Sequence, residues 1–370
     1  MTVAQTKRLP LIAISLLLFV SIANAQSTER QSAHASLQSA ATALASLPEA
    51  DSLIYTSPQR ILSDAAPKFM SESDLAKMRQ EFAEMKKDVG IDPASIEYLV
   101  VAVRFQKPTA DLNFVPPDLL VVASGDFSAE GLLSLAGIYM QDRARTEKYG
   151  SKTLTIMKVD PIVEMAQKTP LLKSFEELSA VAINGNTIVI GNTAYVKAAV
   201  DAADGKGRIN PATITSLLRD PNALVSAAGS PLSAFAKSFG LLGTQATPRE
   251  SNCTTRFGEF YAAVTMDNSN LNLRGAINTD NPDTAKIING LLSGLMQTGI
   301  DAIPDKTAQE TLKMVRLLPK ESEIVFEADV PQKVVADLLK EQMQPKTADA
   351  PVTSAPRKKV TKPRRRVRGK

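Results

Sequence analysis

Residues 257–296 read FGEFYAAVTMDNSNLNLRGAINTDNPDTAKIINGLLSGLM, and their pattern decides the fold. Apolar side chains alternate with polar or small ones through 260–266 and again through 271–277, which is the period of strands with one buried face. The intervening Asp267–Asn270 consists of residues that favour turns. Asn281-Pro282 then supplies a helix N-cap followed by proline at the first helical position. The stretch therefore predicts a strand, a tight turn, a second strand and a helix.

The apolar residues of this helix recur at helical spacing, which predicts one face packed on the sheet. They are Ile288, Leu291, Leu292, Leu295 and Met296. The same order of elements returns at Ser179–Ala203, where Asn184-Gly185-Asn186 is a strong hairpin turn, and more loosely at Tyr98–Met140. Asp305–Leu317 is predicted as a further helix, with Leu312, Val315 and Leu318 turned inward. The predicted fold class is α+β, with antiparallel sheets built from strand-strand-helix units and with helices packed mainly on one face.

Two segments with matching spacing predict that the body consists of two related halves. Pro48 and Pro58 flank the strand SLIYT, and Pro221 and Pro231 flank the strand LVSAA at the same separation. In both copies a serine directly precedes the second proline, which is a helix-start signal. Each copy is followed by a hairpin and a helix, so we interpret the pair as a degenerate internal duplication. Chance similarity of two strand–helix starts is the alternative.

The N-terminal segment has the features of a secretory signal peptide. Lys7 and Arg8 precede an apolar run that is too short for a comfortable membrane span, and Ala23-Asn24-Ala25 forms a cleavage site. The chain is therefore predicted to be exported, to the periplasm or beyond the cell, with cleavage after Ala25. An uncleaved N-terminal anchor is the alternative. The predicted parts are a signal peptide (1–25), a Ser/Ala-rich linker (26–46), a first α+β half (47–204), a connection (205–220), a second α+β half (221–345) and a disordered basic tail (346–370).

The charge distribution sets the tail apart from the body. Residues 346–370 contain ten Lys or Arg and one Asp, a net charge of +9. Because the whole chain carries +4 and Lys7 and Arg8 contribute two positive charges, residues 26–345 carry a net charge of −7. Prolines and the lack of apolar spacing predict that the tail is disordered.

Clustered cations bind polyanions, so the tail is a hypothetical polyanion-binding site. Its expected partners after export are anionic envelope polymers or lipid headgroups, and nucleic acid would be the partner only if export failed. A solvated extension without function is the alternative. The residues of this hypothetical site are Arg357, Lys358, Lys359, Lys362, Arg364, Arg365, Arg366, Arg368 and Lys370.

Histidine and cysteine chemistry is scarce. The only histidine, His34, lies in the predicted linker, which argues against a His-paired Ser or Cys triad and against a His-rich zinc site. Cys253 is the only cysteine, so the chain forms no internal disulfide, and we interpret it as an unreactive thiol. No catalytic, cofactor-binding or metal-binding residue is therefore predicted from these residue types.

Carboxylate pairs are the remaining candidates for acid–base chemistry. Glu176 with Glu177 is interpreted as a helix end, and Asp280 with Asp283 as negative charge that offsets a helix dipole. Asp267 could join Asp280 and Asp283 around one Ca²⁺, although the spacing of an EF-hand is absent.

The segments Leu47-Pro48-Glu49-Ala50-Asp51 and Val89-Gly90-Ile91-Asp92-Pro93 each precede a predicted strand. In these segments and in the order of its strands and helices, the chain resembles a group of uncharacterised exported bacterial proteins. The resemblance implies an exported α+β protein and brings no activity with it.

Three hypotheses for function follow from these observations. The leading one is an exported, non-catalytic envelope protein that binds or scaffolds, with the basic tail as a tether to an anionic surface. The second is an extracytoplasmic hydrolase with a carboxylate-only site, which requires at least two acidic groups of displaced pKa in one cleft between the halves. The third is a small-ligand carrier with an apolar cavity between helices and sheet.

Overall fold

The computed structural model describes residues 40–41, 43–90, 92–106, 116–158, 177–230, 257–301, 303 and 306–343. The strands are β1 (Ser52–Thr56), β2 (Ile96–Arg104), β3 (Asp118–Gly125), β4 (Ala144–Tyr149), β5 (Lys152–Lys158), β6 (Glu177–Asn184), β7 (Thr187–Gly191), β8 (Val225–Gly229), β9 (Phe257–Met266), β10 (Asn270–Thr279), β11 (Arg316–Lys320) and β12 (Glu323–Pro331). All twelve belong to one open sheet in the order β11-β12-β10-β9-β8-β1-β2-β3-β7-β6-β5-β4, and every pairing is antiparallel.

Helices account for most of the remaining described residues. They are α1 (Glu72–Val89), α2 (Ala129–Met140), α3 (Thr193–Ala203), α4 (Pro211–Leu217), α5 (Pro282–Asp301), α6 (Lys306–Lys313) and α7 (Gln332–Met343). Three successive helical turns, Pro58–Arg60, Ile61–Ala65 and Ala66–Phe69, form what we call the 58–69 segment. The predicted α+β class with antiparallel pairing is confirmed. No helix in the described part of the chain combines the length and the apolar content needed to cross a membrane.

Polar side chains start several helices where the sequence predicts a cap. The Ser71 hydroxyl accepts the Asp74 backbone N–H at 3.2 Å ahead of α1, which ends at Gly90 with a left-handed φ of 74°. The Asn281 side chain accepts the Thr284 backbone N–H at 2.9 Å ahead of α5.

The order of strand pairing repeats outward from the middle of the sheet. β1 and β8 are neighbours and pair about Ile54 and Ala227, with Ser52 opposite Gly229 and Thr56 opposite Val225. On one side follow β2, β3, β7 and β6, and on the other β9, β10, β12 and β11. We call β1–β7 the first half and β8–β12 the second half. The β4–β5 hairpin extends only the first half. The internal duplication itself stays a prediction.

Alternate residues of each strand project to opposite faces of the sheet. We call face A the side that carries Leu53, Tyr55, Val100, Leu120 and Val181, and face B the side that carries Ile54, Val101, Ala123, Ile188 and Ile277. Helices α3 and α4 pack on face A through buried Val and Leu side chains. The 58–69 segment, α2, α5 and α7 pack on face B, so this face carries most of the described helices, as predicted.

The chain turns onto a different face of the sheet after β7 in the first half and after β12 in the second half. In the first half β7 ends at Gly191, where a Cβ atom would lie 2.2 Å from the Leu119 carbonyl oxygen, and Asn192 then turns the chain onto face A. The Asn192 Oδ1 atom accepts a hydrogen bond of 2.6 Å from the Leu119 backbone N–H. In the second half β12 continues to Pro331, and Val335 of α7 packs on face B. Among the described residues, face A of the second half therefore has no counterpart of α3.

The structure contradicts two predictions made for the second half. Leu291 and Leu295 of α5 were expected to face inward, but their exposed fractions are 57% and 60%. The predicted helix at 305–317 ends at Lys313, and Arg316–Lys320 is the edge strand β11, with Leu318 exposed. Pro319 is tolerated there because an edge strand has one side without a hydrogen-bonding neighbour.

Candidate binding face

Face A of the second half carries α4 over β8 and β9 and a row of charged side chains on β10, β12 and β11, whereas the same face of the first half is a core. Leu120 of β3 lies between Ala102 and Gly191 in the sheet, and Arg274 of β10 occupies the equivalent place between Ala263 and Glu327. Leu120 is fully buried and Arg274 is exposed. No helix among the described residues lies over face A of β10 and β12, and a sheet face with exposed charged side chains is a surface on which a partner can lie, so this face is the candidate binding site.

A cavity of about 300 Å³ lies on this face where α4 meets β8, β9 and β10. The polar residues that line it are Ser216, Arg219, Asp220, Ser226, Tyr261 and Arg274. Its volume is at the lower end of the range of about 300–1,000 Å³ for small-molecule sites. The cavity lies beside the boundary between the two halves, since β8 is the first strand of the second half.

Helix α4 places the outer wall of the cavity. Asn210 caps this helix by accepting the Ala212 backbone N–H at 3.0 Å, and Pro211 occupies its first position. Ile214 and Leu217 are buried in the face A core, which fixes the helix on the sheet. Helix α4 therefore brings Ser216 to the rim of the cavity, and the chain that follows the helix brings Arg219 and Asp220 there.

Arg219 is the most available cation of the site. Its guanidinium carbon lies 4.3 Å from the centroid of the Tyr261 ring, a cation–π contact that orients the plane of the charge. Within the part of the chain that the structure describes, no carboxylate pairs with this side chain. A guanidinium that is oriented but not neutralised is suited to bind a carboxylate or phosphate group through two parallel hydrogen bonds.

The Arg274 side chain, by contrast, already forms an ion pair and hydrogen bonds within the protein. It pairs with the Asp329 carboxylate and donates to the carbonyl oxygens of Leu273 at 2.8 Å and Ala328 at 3.0 Å. Arg316 continues this row with a contact of 2.9 Å to Glu327. The alternating charges cross β10, β12 and β11 and leave Arg219 as the cation of the cavity without an acidic partner among the described residues.

The predicted carboxylate pairs do not form a shared acidic site. Glu176 lies outside the described residues, and Glu177 pairs with Arg145 at 2.7 Å on the sheet. Asp283 lies in the first turn of α5 with Lys286 at 3.5 Å. Each described carboxylate of these pairs thus lies at a strand end or a helix start.

The pKa is lowered at two carboxylates, Glu147 and Asp267. A hydrogen bond from Lys197 lowers the pKa of Glu147 on β4. Hydrogen bonds from the Asn272 side chain and the backbone N–H groups of Ser269 and Asn270 lower the pKa of Asp267 to about 2. These groups belong to different halves of the sheet, so they do not supply the cleft that a carboxylate-only hydrolase requires.

The predicted calcium cluster is not assembled. Asp267 precedes β10 and Asp280 follows it, so about ten residues of strand, or about 33 Å, separate them. Among the described residues, no three His, Cys, Asp or Glu side chains come together as a metal site.

The hypothetical polyanion-binding residues from Arg357 to Lys370 lie outside the described residues, as do His34 and Cys253. Their roles therefore stay predictions. The predicted boundaries of the six parts also stay predictions.

The residues of the cavity were not predicted from the sequence. Residues 205–220 were read as a connection, although Asn210-Pro211 has the same cap signal as Asn281-Pro282 and Thr213, Ile214 and Leu217 have helical spacing. That signal could have placed α4. No local pattern could have shown that Arg219 stacks on Tyr261, because 42 positions separate the two residues in the sequence.

No protein-family model matches this chain, and no curated protein matches it. Solved structures of TP0453 from Treponema pallidum are similar to it. Crystal form III has 11% identity and a TM-score of 0.40, with 80% of this chain and 97% of that one covered. Crystal form IV has 10% identity and a TM-score of 0.39, with coverage of 80% and 95%. At these values the likeness is a general one of architecture.

Proposed function

We propose that this protein is an exported, non-catalytic envelope protein that binds the anionic group of a ligand or partner in the cavity beside Arg219. The basic tail would tether the protein to an anionic surface of the envelope. The observation that carries the proposal is the guanidinium of Arg219, which is stacked on Tyr261 and has no carboxylate partner in the described part of the chain.

The geometry of the cavity favours binding of one anionic group. The aromatic ring holds the guanidinium in place, so little conformational freedom is lost when an anion binds. Hydroxyl groups of Ser216 and Ser226 also line the cavity and supply donors to a second oxygen. Asp220 lines it too, which disfavours a ligand of high negative charge. A monocarboxylate or a single phosphate group is therefore the expected chemistry.

The tail supports a second, less specific attachment. Each Lys or Arg close to an anionic membrane surface contributes about 1 kcal/mol at moderate ionic strength. The nine proposed tail residues together would hold a body of net charge −7 against its own repulsion from the same surface. The attachment should weaken steeply as salt rises, because counterions screen it.

The tail is tested by deleting residues 346–370 and measuring co-sedimentation with phosphatidylglycerol vesicles over a salt series. We expect retention of the full chain at low salt, loss of it at high salt, and loss at all salt concentrations after deletion. A matched control replaces the nine basic residues by Gln at constant tail length. Retention of the deleted chain at the level of the full chain would contradict the tether.

The cavity is tested with Arg219→Gln, and with Arg316→Gln as a control at an exposed arginine of the same face. Acetate, succinate and inorganic phosphate are titrated against each protein while the ring signals of Tyr261 are followed by NMR. We expect saturable shifts in the unchanged protein and in the control, and none in Arg219→Gln. If none of these anions shifts Tyr261 in the unchanged protein, the anion site is wrong.

A small-ligand carrier is the second candidate function, since the cavity volume of about 300 Å³ fits a small molecule. The lining is polar, so the cargo would be a small organic anion rather than the apolar ligand that was predicted. The two candidates differ in the affinity that they predict for a free organic acid. A carrier binds one free organic acid tightly, whereas a surface that recognises a partner binds free acids only weakly.

A further inference from the structure

Helix α5 exposes three large apolar side chains in a row. Ile287, Leu291 and Leu295 have exposed fractions of 68%, 57% and 60%, and their spacing of four residues places them on one side of the helix. The opposite side packs on face B through Ala285 and Ile288. Such a ridge is unusual for residues that are otherwise buried in folded proteins, and it indicates a contact with another molecule.

Two glycines lie beside this ridge, and each leaves a cleft in the exposed surface of α5. Gly290 and Gly294 lie one turn apart, and a Cβ atom built on either one meets nothing within 4 Å. No charged residue occurs between Lys286 and Asp301. The surface is therefore an uncharged strip about 20 Å long, in which large apolar side chains lie beside glycines.

We propose that this strip is the interface with a second copy of the same chain, formed by two α5 helices that pack antiparallel about a two-fold axis. In an isologous contact the same surface is present on both sides, so the large side chains of one copy must find clefts on the other. Glycines spaced four residues apart allow two helix backbones to approach closely. The strip offers both features on one helix.

The charges at the two ends of the strip fit an antiparallel pair. Lys286 and Asp301 lie at opposite ends of the apolar strip and on the same flank of the helix. The midpoint between Leu291 and Leu295 falls at Ser293, and the midpoint between Lys286 and Asp301 falls half a residue further along. One register therefore places leucine against leucine and brings each Lys286 to the Asp301 of the partner.

The present contacts of these charges do not oppose such a pairing. Lys286 reaches Asp283 at 3.5 Å, and Asp301 accepts from Gln297 at 3.0 Å. The Lys286 and Asp283 side chains are 69% and 89% exposed, so their contact contributes little and can be exchanged for an intermolecular one. Antiparallel helix dipoles also attract each other.

A lipid surface is the competing occupant of the strip, and the charges of α5 argue against it. Helices that lie in an anionic membrane surface carry many Lys and Arg residues on their polar flanks. α5 carries one lysine, Lys286, and two aspartates, Asp283 and Asp301. An anionic membrane would repel this helix, whereas a second copy neutralises its charges.

The first test is sedimentation velocity of the full chain over a range of protein concentrations. We expect reversible dimerisation, with the dissociation constant raised at least about tenfold by Leu291→Asp. Ile287→Asp should weaken the dimer as well. Ile138→Asp on α2 is the matched control, because Ile138 and Ile287 are both 68% exposed, and it should leave the dimer unchanged.

The second test exchanges charges on α5 to check the proposed antiparallel register, in which Lys286 of one copy lies opposite Asp301 of the other. Lys286→Glu and Asp301→Lys should each weaken the dimer, since each places like charges opposite one another, and the double variant should restore it.

A third variant, Gly294→Leu, fills a cleft. We expect it to weaken dimerisation while the melting temperature of the monomer stays the same or rises, because leucine has the higher helix propensity and meets open space.

Three outcomes would overturn the proposal. The first is an unchanged chain that stays monomeric at all concentrations up to the millimolar range. The second is a dimer that Leu291→Asp, Ile287→Asp and Gly294→Leu leave intact. The third is a monomeric chain that binds phosphatidylcholine vesicles through α5, with binding lost in Leu291→Asp, because that result would assign the strip to lipid.

Discussion

The two halves of the sheet share an order of strands and differ in what covers face A. In the first half, Val100 and Leu120 are buried beneath α3. In the second half, Tyr261 and Arg274 occupy the equivalent positions on a face that carries a cavity and a row of charges. The difference shows that two runs of strands with the same pairing order can supply a core in one half of the sheet and a charged surface in the other.

The cause of this difference is the exit of the last strand in each half. Gly191 and Glu327 are equivalent, since each pairs with the strand that carries Leu120 or Arg274. Gly191 leaves room for the Leu119 carbonyl group, and the chain turns at once onto face A. Glu327 is followed by four more residues of strand, so the chain does not turn onto face A at this point. Helix α7 begins after Pro331 and packs with the 58–69 segment on face B.

The sharpest test of the comparison substitutes the equivalent pair Leu120 and Arg274. Leu120→Ala should lower the free energy of unfolding by about 2–5 kcal/mol, because it leaves a cavity in a packed core. Arg274→Ala should lower it by at most about 1 kcal/mol, because exposed ion pairs contribute little. Urea unfolding monitored by circular dichroism measures the free energy of unfolding of both variants. Equal losses of free energy would mean that face A is packed to the same degree in the two halves.

Alkaline pH should act mainly on the first half. Burial raises the pKa of Tyr55 to about 12, so its neutral form stabilises the fold below pH 10, and this stabilisation is lost as pH rises from about 10 to about 12. A shift of this size corresponds to about 2–3 kcal/mol. Unfolding free energies at pH 9 and pH 11.5 should differ less in Tyr55→Phe than in the unchanged protein. The same pH dependence in both proteins would refute this assignment.

The buried ion pair of the first half should matter more than the exposed pair of the second. Asp118, with a side chain 5% exposed, accepts from Arg104 at 2.8 Å and from Gln106 at 2.7 Å. Asp118→Ala should cost about 1–3 kcal/mol because it removes hydrogen bonds to a charged group. Glu327→Ala, which removes a partner of Arg316, should cost less than about 1 kcal/mol. Chemical unfolding of the two variants side by side checks the order.

Acid pH should act on the β9–β10 hairpin of the second half, with the smallest effect of these tests. The pKa of Asp267 is lowered to about 2, so the stabilising charged form is present above about pH 4 and is lost as pH falls from about 4 to about 2. Amide hydrogen exchange in the β9–β10 hairpin should speed up over this range before exchange in β2 does. In the Asp267→Asn variant, amide hydrogens of the β9–β10 hairpin should exchange faster at neutral pH than in the unchanged protein. Their exchange rates should also change less when the pH falls from about 4 to about 2.

The elements that could be predicted from the sequence are those whose local pattern is complete. The turn at Asn184-Gly185-Asn186 and the cap at Asn281-Pro282 fixed one hairpin and the start of α5. β4 was missed because none of its residues is buried and it has no apolar alternation. The sequence wrongly predicts helix at β11 because the leucines of this strand continue the helical spacing of α6 across the turn at Met314.

The sequence by itself determined which residues share a strand and where most helices begin, because alternation, caps and proline spacing act over a few residues. Only the tertiary structure decided that α7 packs on face B, that Arg219 meets Tyr261 and that Leu291 and Leu295 face outward. An alternating pattern states which side chains lie on the same face of an element. What covers that face depends on segments far away in the chain, and no local pattern records their position.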